Sequence, residues 1–506
     1  MMDTVNYWKS FMSDPNDYER LKLYPNINAL LEDANIKYSS LVALRSKELS
    51  KTYHEFYLDV SRCRKTLIDL GIKMGDHVGL LFKNEYDFVV SFFAVTTLGA
   101  VASILPINLP KEALLGLTYK FSLKLLIYSL EIQDEILSLK ESKSDLLILD
   151  ADSLLSCEMA KGIEVSGDTP ACIVFTGGTT GAPKGALLSH KNLTRGAFNG
   201  CLVVGQVFHL SMVSLIPFTH VFGLVKNLLS CFVCGNSLYM VGEPSGFVKE
   251  MSMAQPDVMV LTPALCQLVL DLVKRFGKSI FGKKFTTIIA GGAAVSSQLT
   301  LALAKEGIIA YQGYGSTEST NLISGNPESL SIPNSVGHIY PDEEIKIVDG
   351  EILVKGDNVF LGYYGDKENT DKVLKDGWLY TGDLGYFDEF NHLFVTGRKG
   401  NLIILDSGLK FSPEEIESLV NTSPLVSDSL VYLSKVNNQN EIICEIFLNN
   451  AAISLMNVTD PKEEVKRFIF SDVNSKVVNF AQINKVIFRE KDFKRSPAMK
   501  IIREHN

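Results

Sequence analysis

The residues best suited to chemistry follow a short apolar run that begins at residue 171. The β-branched residues of this run predict a buried strand, and a loop rich in glycine and hydroxyl groups comes after it. Glycines let a ligand approach the backbone, exposed N–H groups can bind an anion, and hydroxyls and an ammonium add donors. The order Pro183, Lys184, Gly185 differs from a Walker A loop, in which Ser or Thr follows Gly-Lys. We therefore predict a phosphate-binding loop that contains Thr176, Gly177, Gly178, Thr179, Thr180, Gly181 and Lys184.

A second group of polar residues follows the predicted strand Ile308–Tyr311. Glycines end this strand, and Thr317 and Glu318 come directly after them. Thr317 could donate to a phosphate oxygen, and Glu318 could bind Mg²⁺, which prefers carboxylate and phosphate ligands. A turn with a helix-capping Thr-Glu pair is the structural alternative. The predicted strand Thr286–Ala290 also ends in a glycine-rich turn, made of Gly291, Gly292 and Ala293.

Two charged residues later in the chain could contact a nucleotide. Asp383 follows a tight Thr-Gly turn, where a carboxylate can accept two hydrogen bonds from ribose hydroxyls. Arg398, in the segment GRKGN, could add a fork of donors to ribose or phosphate. Gly-Asp dipeptides and exposed arginines are common, so both predictions depend on the other motifs.

The composition excludes some classes of function. The chain has 506 residues, 46% hydrophobic and 21% charged, which predicts a well-packed protein of two or more domains. A net charge of −9 without a basic patch argues against a nucleic-acid partner. The eight cysteines form no framework, and Cys231 and Cys234 have no second pair or histidine cluster nearby. We interpret Cys231 and Cys234 as core residues. Cysteines without a framework are typical of a reducing compartment, which predicts a cytoplasmic location.

The start of the sequence lacks a basic segment and a long apolar core, so no signal peptide is predicted. Residues 88–108 and 196–225 carry no Asp, Glu, Lys or Arg, but glycine, proline and polar residues interrupt both stretches. We therefore predict buried core rather than transmembrane segments. Peripheral contact with a membrane is left open.

Apolar β-branched runs, among them the predicted strand Val258–Leu261, alternate with helical patterns through the first four hundred residues. This alternation indicates layered α/β architecture with ligand loops at the carboxyl ends of strands. A short polar joint then separates two strand-like runs. The residues after it are typical of a small α/β module, with a helix that begins after Ser412. We place a large domain at residues 1–396, a hinge at 397–401 and a small domain at 402–506.

The motifs TGGTTGAPKG, YGSTE and WLYTGDLG together resemble those of the adenylate-forming, or AMP-binding, superfamily. That superfamily includes acyl-CoA synthetases, adenylation domains of peptide synthetases and luciferases, and the resemblance runs from about Tyr53 to Arg503. It implies a large α/β domain of layered sheets and helices, followed by a small mobile α/β domain. It also implies an acid–thiol ligase that uses ATP, Mg²⁺ and coenzyme A. Such an enzyme converts a carboxylic acid to an acyl-adenylate and then to a thioester.

The resemblance also implies a role for particular residues. Lys500 would reach across from the small domain to neutralise transition-state charge, and rotation about the hinge would then bring the segment of Gly408 to the site. Tyr314 would lie along the adenine ring, and His220 would line the acyl tunnel, although a satisfied core histidine is the alternative. The predicted catalytic residues are His220, Thr317, Glu318 and Lys500, with Glu318 as the metal ligand. The predicted cofactor-binding residues are Thr176, Gly177, Gly178, Thr179, Thr180, Lys184, Gly291, Gly292, Ala293, Gly313, Tyr314, Gly315, Asp383, Arg398 and Gly408.

The predicted substrate is a fatty or aromatic acid, with coenzyme A as acceptor. Amino-acid adenylation domains carry an Asp after the Pro-Phe segment, whereas Phe218 is followed here by Thr219 and His220. An ammonium would therefore lie unpaired, at a cost of several kcal/mol. Two alternatives remain: an enzyme that loads an acyl group onto the phosphopantetheine of a carrier protein, and a nucleotide-binding protein with reduced catalysis. The latter is suggested by Gly400 and Met499, where the family usually has Asp or Lys and Gly respectively.

Overall fold

The structure is a computed structural model. It describes residues 3–107, 109–176, 184–241, 247–405, 409–436, 439–450, 453, 458–494 and 501–503. Within these ranges the strands form five sheets, and helices pack against them, so the predicted α/β class is confirmed. Helical segments are found at Thr4–Lys9, Asp17–Arg20, Ile27–Tyr38, Tyr53–Asp69, Tyr86–Thr97, Lys111–Lys120, Gln133–Ser142, His190–Cys201, Phe222–Leu229, Ser230–Cys234, Phe247–Ala254, Pro263–Phe276, Ser297–Lys305, Lys367–Val373, Pro413–Val420, Pro461–Phe468, Ile469–Val473 and Asn474–Lys476.

The first large sheet positions the ends of the predicted phosphate-binding loop. The strand Val101–Ile104 lies between two parallel neighbours and is fully buried, as its apolar residues predict. Thr176 ends one strand, and Lys184 begins the antiparallel strand beside it, directly opposite Thr176. The strand order is Gly362–Tyr363, Lys184–Ser189, Pro170–Thr176, Val101–Ile104, His77–Leu81, Leu125–Tyr128 and Leu147–Asp150.

The second large sheet carries the other predicted motifs at the carboxyl ends of its parallel strands. The strand Val258–Leu261 matches the prediction, and the next two strands begin one residue later than predicted. Gly291 follows one of these strands, and Gly315 follows the other. The strand order is His338–Ile339, Ser324–Gly325, Ile309–Tyr314, Thr287–Ala290, Val258–Leu261, Ser211–Ser214, Ser237–Met240, Val42–Arg45 and Ser50–Thr52.

A smaller antiparallel sheet holds Asp383 and Arg398 opposite each other on neighbouring strands. Arg398 is the last residue of a strand and the following residues form a single 3₁₀ turn, so the polar joint is shorter than the sequence suggested. The strands of this sheet are Glu344–Val348, Glu351–Lys355, Leu374–Lys375, Trp378–Phe387 and Leu393–Arg398.

The C-terminal region has a hydrophobic core of its own, whose residues lie between Ile403 and Phe488. Three strands, Val426–Val436, Gln439–Leu448 and Lys485–Phe488, form its main sheet, and Ile403–Ile404 pairs with Lys410–Phe411. Ser412 precedes the helix Pro413–Val420 as predicted, but its hydroxyl makes no capping bond to that helix. The Ser412 hydroxyl instead lies 2.9 Å from the Thr396 carbonyl oxygen, so it joins the helix to the strand that ends at Arg398. The division into domains remains a prediction.

The two uncharged stretches are mostly buried, as predicted, although Gln206, His209 and Pro217 are exposed. Every residue from Phe88 to Thr97 is buried, and so is nearly all of the helix His190–Cys201. Among the described residues, no helix is both long enough and apolar enough to cross a membrane. Cys231 and Cys234 are buried, and all eight cysteines are free thiols.

Candidate active site

Three segments that lie far apart in the sequence meet at one point beside the predicted phosphate loop. The Lys184 ammonium donates to Asn369 Oδ1 over 3.1 Å and lies 5.1 Å from the centre of the Tyr363 ring. The Tyr363 hydroxyl in turn donates to Glu318 Oε1 over 2.7 Å. Burial and the Glu318 carboxylate together raise the pKa of Tyr363 well above its ordinary value, so this hydroxyl keeps its proton. Lys184 and Glu318 thus face one another across a single tyrosine.

A second set of contacts surrounds Asp383, which is almost fully buried. Its Oδ2 accepts the Tyr314 hydroxyl over 2.8 Å, and its Oδ1 lies 2.8 Å from Arg398 Nε. Burial of a carboxylate requires such partners, because an unpaired buried charge is costly. The Arg398 side chain is about half exposed (52%), so its remaining donors can reach a ligand.

Arg398 connects the two sets of contacts. Asp383 is the main cause of a raised pKa at Arg398, and Glu318 also raises it, so both carboxylates are close enough to act on this guanidinium. Glu351 supports the residues next to Asp383 and Arg398. Its carboxylate accepts a hydrogen bond from the Gly382 amide and pairs with Lys399. The structure therefore brings Lys184, Tyr314, Glu318, Asp383 and Arg398 into one cluster.

The glycines of the predicted site permit close approaches that a side chain would block. A Cβ atom at Gly315 would lie 1.7 Å from the Asn321 carbonyl oxygen, and one at Gly291 would lie 2.8 Å from the Phe222 ring. Gly292 has a φ of +84°, which an L residue with a side chain rarely adopts. Ala293 follows it on the surface, and Thr317 begins the short 3₁₀ helix that holds Glu318.

His220 lies at the start of a π-helical segment, Phe222–Leu229, that packs beside the strand ends. Its Nδ1 accepts the Phe222 amide over 3.2 Å, which is the bond expected of a satisfied structural histidine. Phe222 lines a cavity behind the cluster, and His220 is absent from the described residues that line it. The catalytic role of His220 remains a prediction.

Several predicted site residues lie outside the described ranges, namely Gly177, Gly178, Thr179, Thr180, Gly408 and Lys500. The residue nearest to Lys500 with described side-chain contacts is Arg503. Its guanidinium pairs with Glu417 over 2.6 Å and donates to the Val431 carbonyl over 3.3 Å. These bonds attach the C-terminal tail to the small core, three residues beyond Lys500.

The cavity behind the cluster shares a wall with the predicted nucleotide site. Gly291, Gly292, Gly313 and Gly315 all line it, together with Lys226. Sequence reasoning missed Lys226, because it lies in an apolar run that predicts core. The signal was nevertheless present, since a lysine among FGLVKNLL is unusual for a fully buried helix face. The wall of this cavity therefore contains a buried lysine as well as apolar side chains.

The cluster has the chemical groups that a magnesium nucleotide needs. Lys184 and Arg398 are cations for phosphate oxygens, and Asp383 is an acceptor for hydroxyls. A carboxylate has about four acceptor positions, so the bond from Tyr363 leaves Glu318 able to bind Mg²⁺ as well.

The fold and the residue types of this cluster suit an adenylate-forming enzyme, and comparison with known proteins identifies the family. A sequence model described as "AMP-binding enzyme" matches residues 31–364, so the chain belongs to the AMP-binding enzyme family. The expected family, and with it the expectation of an enzyme, is confirmed.

Individual relatives of the chain are CoA ligases. The 4-coumarate–CoA ligase of Vanilla planifolia is 27% identical over 504 residues, covering 90% of this chain and 87% of the relative. The anthranilate CoA ligase AuaEII, in complex with anthranoyl-AMP, has a similar fold, with a TM-score of 0.84, 21% identity, and coverage of 96% and 97%. O-succinylbenzoate coenzyme A synthetase (MenE) of Bacillus subtilis, with ATP and a magnesium ion, gives a TM-score of 0.78, 22% identity, and coverage of 94% and 98%.

We predict that Gly315→Ala destabilises the protein by about 3 kcal/mol or more, because the backbone must move to admit the new methyl group. Gly400→Ala is the matched control: a Cβ there meets nothing within 4 Å, so its effect should stay within about 0.5 kcal/mol. Denaturant unfolding of both variants measures the difference. Equal stabilities would show that the close approach at Gly315 is not a constraint.

Proposed function

We propose that this chain joins a carboxylic acid to coenzyme A in two steps, through an acyl-adenylate formed from ATP. The observation that carries the proposal is the convergence of Lys184, Glu318, Asp383 and Arg398 beside a separate cavity. Lys184 and the loop before it hold the β- and γ-phosphates, and Glu318 binds Mg²⁺. Asp383 and Arg398 hold the ribose, and Tyr314 lies along the adenine. Membership of the family and the CoA ligases among its relatives support these assignments.

In the first step, a carboxylate oxygen of the acid attacks the α-phosphorus of ATP. The bond from that phosphorus to the bridging oxygen breaks, and pyrophosphate leaves with the electron pair. Holding both reactants in line is worth many powers of ten in rate, because the encounter becomes intramolecular. Lys500 neutralises the charge that builds on the reacting oxygens, and Arg503 holds the tail that carries it.

In the second step, the sulfur of coenzyme A attacks the acyl carbon, and AMP leaves with the electron pair of the acyl–oxygen bond. The small domain rotates about residues 398–400 between the steps, which withdraws Lys500 and brings the segment of Gly408 to the site. The contacts of Ser412 and Lys399 near the hinge would then have to break and re-form. Such motions limit turnover in many enzymes.

The acid is aromatic in this proposal, and the location is the cytoplasm. The three relatives described above act on aromatic acids by their names, and aromatic rings of Phe222 and Tyr311 line the cavity. Of the fatty and aromatic acids expected from the sequence, we therefore propose the aromatic class. The eight free thiols suit a reducing compartment.

A pyrophosphate-release screen over aromatic, fatty and amino acids, each with and without coenzyme A, tests the proposal. Aromatic acids should give the fastest release, and thioester should form only when coenzyme A is present. Transfer to a phosphopantetheine carrier protein instead would identify the carrier-loading alternative. If no acid supported ATP–pyrophosphate exchange, the chain would be the catalytically reduced nucleotide-binding protein.

We predict that Lys500→Ala slows acyl-adenylate formation by about 10²–10³-fold, because it removes a charge from the transition state. Thioester formation from supplied acyl-AMP should change little. Lys491→Ala, at an exposed lysine of the same terminal region, is the control and should leave both rates unchanged. Normal adenylation by the Lys500 variant would remove this residue from the mechanism.

We predict that Asp383→Asn raises the KM for ATP by about 10- to 100-fold, because hydrogen bonds to a charged acceptor contribute about 1.5–3 kcal/mol. The carboxamide can still accept from Tyr314, so the fold should persist. Asp349→Asn, at an exposed turn residue, is the control. Steady-state kinetics at saturating acid measures the effect, and an unchanged KM would show that Asp383 does not hold the nucleotide.

We predict that Gly400→Ala slows thioester formation by roughly 5- to 30-fold and adenylation much less. A Cβ atom is free of contacts in the observed conformation, so the loss would arise only if rotation requires a left-handed backbone at this residue. Rapid-quench measurement of the two half-reactions separates the effects. Equal changes in both steps would argue against a pivot at Gly400.

A further inference from the structure

Lys226 is a buried lysine in the wall of the cavity beside the nucleotide site. It lies in the π-helical segment Phe222–Leu229, all of whose residues are buried, and is itself only 4% exposed. Its ammonium donates to the carbonyl of Gly200, near the end of the helix His190–Cys201. Burial lowers the pKa of Lys226, as expected when a charge leaves water.

No carboxylate compensates this ammonium within the part of the chain that the structure describes. The groups that act on it electrostatically are the thiols of Cys201, Cys231 and Cys234. Burial raises the pKa of Cys231 and of Cys234, so these two thiols are neutral. The Gly200 carbonyl supplies the partial negative charge of a helix end, which is less than a full counter-charge. An ammonium has three donors, and the structure gives a partner to one of them.

Lys226 is also the one charged residue among those described as lining this cavity. The other lining groups are apolar side chains, backbone, and the neutral polar residues Tyr311, Gln312, Asn321, Asn326 and Tyr340. The cavity wall continues through Gly291 and Gly292 to the nucleotide cluster. Gly200, which accepts from the ammonium, lines a second cavity, and that cavity shares Val203, Val204, Ile289 and Lys226 with the first. An acid bound beside the glycines would therefore meet Lys226 where the two cavities adjoin.

We propose that Lys226 binds a second anionic group of the acid substrate, so that the enzyme selects acids with a carboxylate remote from the one that reacts. This inference rests on the proposed function and names the substrate class for the same site. The reacting carboxylate faces the α-phosphate, and the remote carboxylate pairs with the ammonium. The protein thereby orients the acid by charge as well as by shape.

The binding free energy at Lys226 differs between acids with and without a second carboxylate. A dicarboxylate places an anion against a desolvated ammonium, whereas an acid without the second group leaves that ammonium unpaired in an apolar wall. A site built around a buried polar group rejects analogues that lack its partner far more strongly than an apolar pocket rejects a change in size. A charge at Lys226 therefore controls the selectivity between two acids that differ only in the remote carboxylate.

The wild-type protein gives the first test. ATP–pyrophosphate exchange is measured with acids that share a framework and differ by one carboxylate: benzoate against isophthalate and terephthalate, and butyrate against glutarate. At least one dicarboxylate should exceed its partner by about tenfold or more in kcat/KM. If each monocarboxylate matched or exceeded its partner, the inference would be wrong while the proposed function stood. Absence of exchange with every acid would contradict the proposed function, and the inference would fall with it.

Variants of Lys226 give the second test. Lys226→Met should lower the ratio of kcat/KM for the preferred dicarboxylate to that for its monocarboxylate by roughly 30-fold or more, because it removes one member of a buried charge pair. Lys226→Arg keeps the charge and should retain the preference. Lys274→Met, at an exposed lysine on the helix Pro263–Phe276, is the matched control and should leave the ratio unchanged.

The ratio of the two kcat/KM values distinguishes substrate binding from a structural role. If Lys226 only held the Gly200 helix in place, its replacement would change kcat/KM for both acids equally. An unchanged ratio in a folded Lys226→Met protein would overturn the inference. Thermal unfolding checks the fold of each variant. If the methionine variant does not fold, Lys226→Gln and the wild-type comparison decide the question.

Discussion

The site depends on the ion pair between Asp383 and Arg398, which are opposite each other on neighbouring antiparallel strands. Asp383 is buried, and it can remain ionised there because Arg398 and the Tyr314 hydroxyl both contact its oxygens. The same guanidinium is close enough to Glu318 to be affected by its charge. The register of two neighbouring strands therefore determines which charges meet, and Arg398 lies within the predicted hinge at residues 397–401.

The two halves of the site differ in their electrostatics. On the nucleotide side, cations and carboxylates alternate, which suits a ligand that carries phosphates, a metal ion and ribose hydroxyls. In the proposed acid pocket, Lys226 is the single charge of the described cavity wall, and the end of a helix is its partner. A glycine-rich wall separates the halves, where side chains at Gly291 or Gly315 would collide with their neighbours.

Local patterns predicted much of the fold. The strand Val258–Leu261 was predicted correctly because β-branched apolar runs bounded by turn residues are typical of buried parallel strands. The motif residues near Gly315 and Asp383 were also recognisable, since phosphate and ribose chemistry restricts the residue types. Tyr363 and Asn369 were missed, because no local motif marks them. They reach the site only because Gly362–Tyr363 pairs with the strand that begins at Lys184.

The sequence alone determined the family, the α/β class and the residue types that are proposed to contact a nucleotide, because these follow from short-range patterns and from the chemistry of the ligand. The tertiary structure decided which of those residues share a site and what lies beside it. Lys226 illustrates the difference: its apolar neighbours in sequence predict core, and only the packing of its helix against the strand ends turns a core position into a cavity wall. Long-range packing sets that relation, and no periodicity within the helix encodes it.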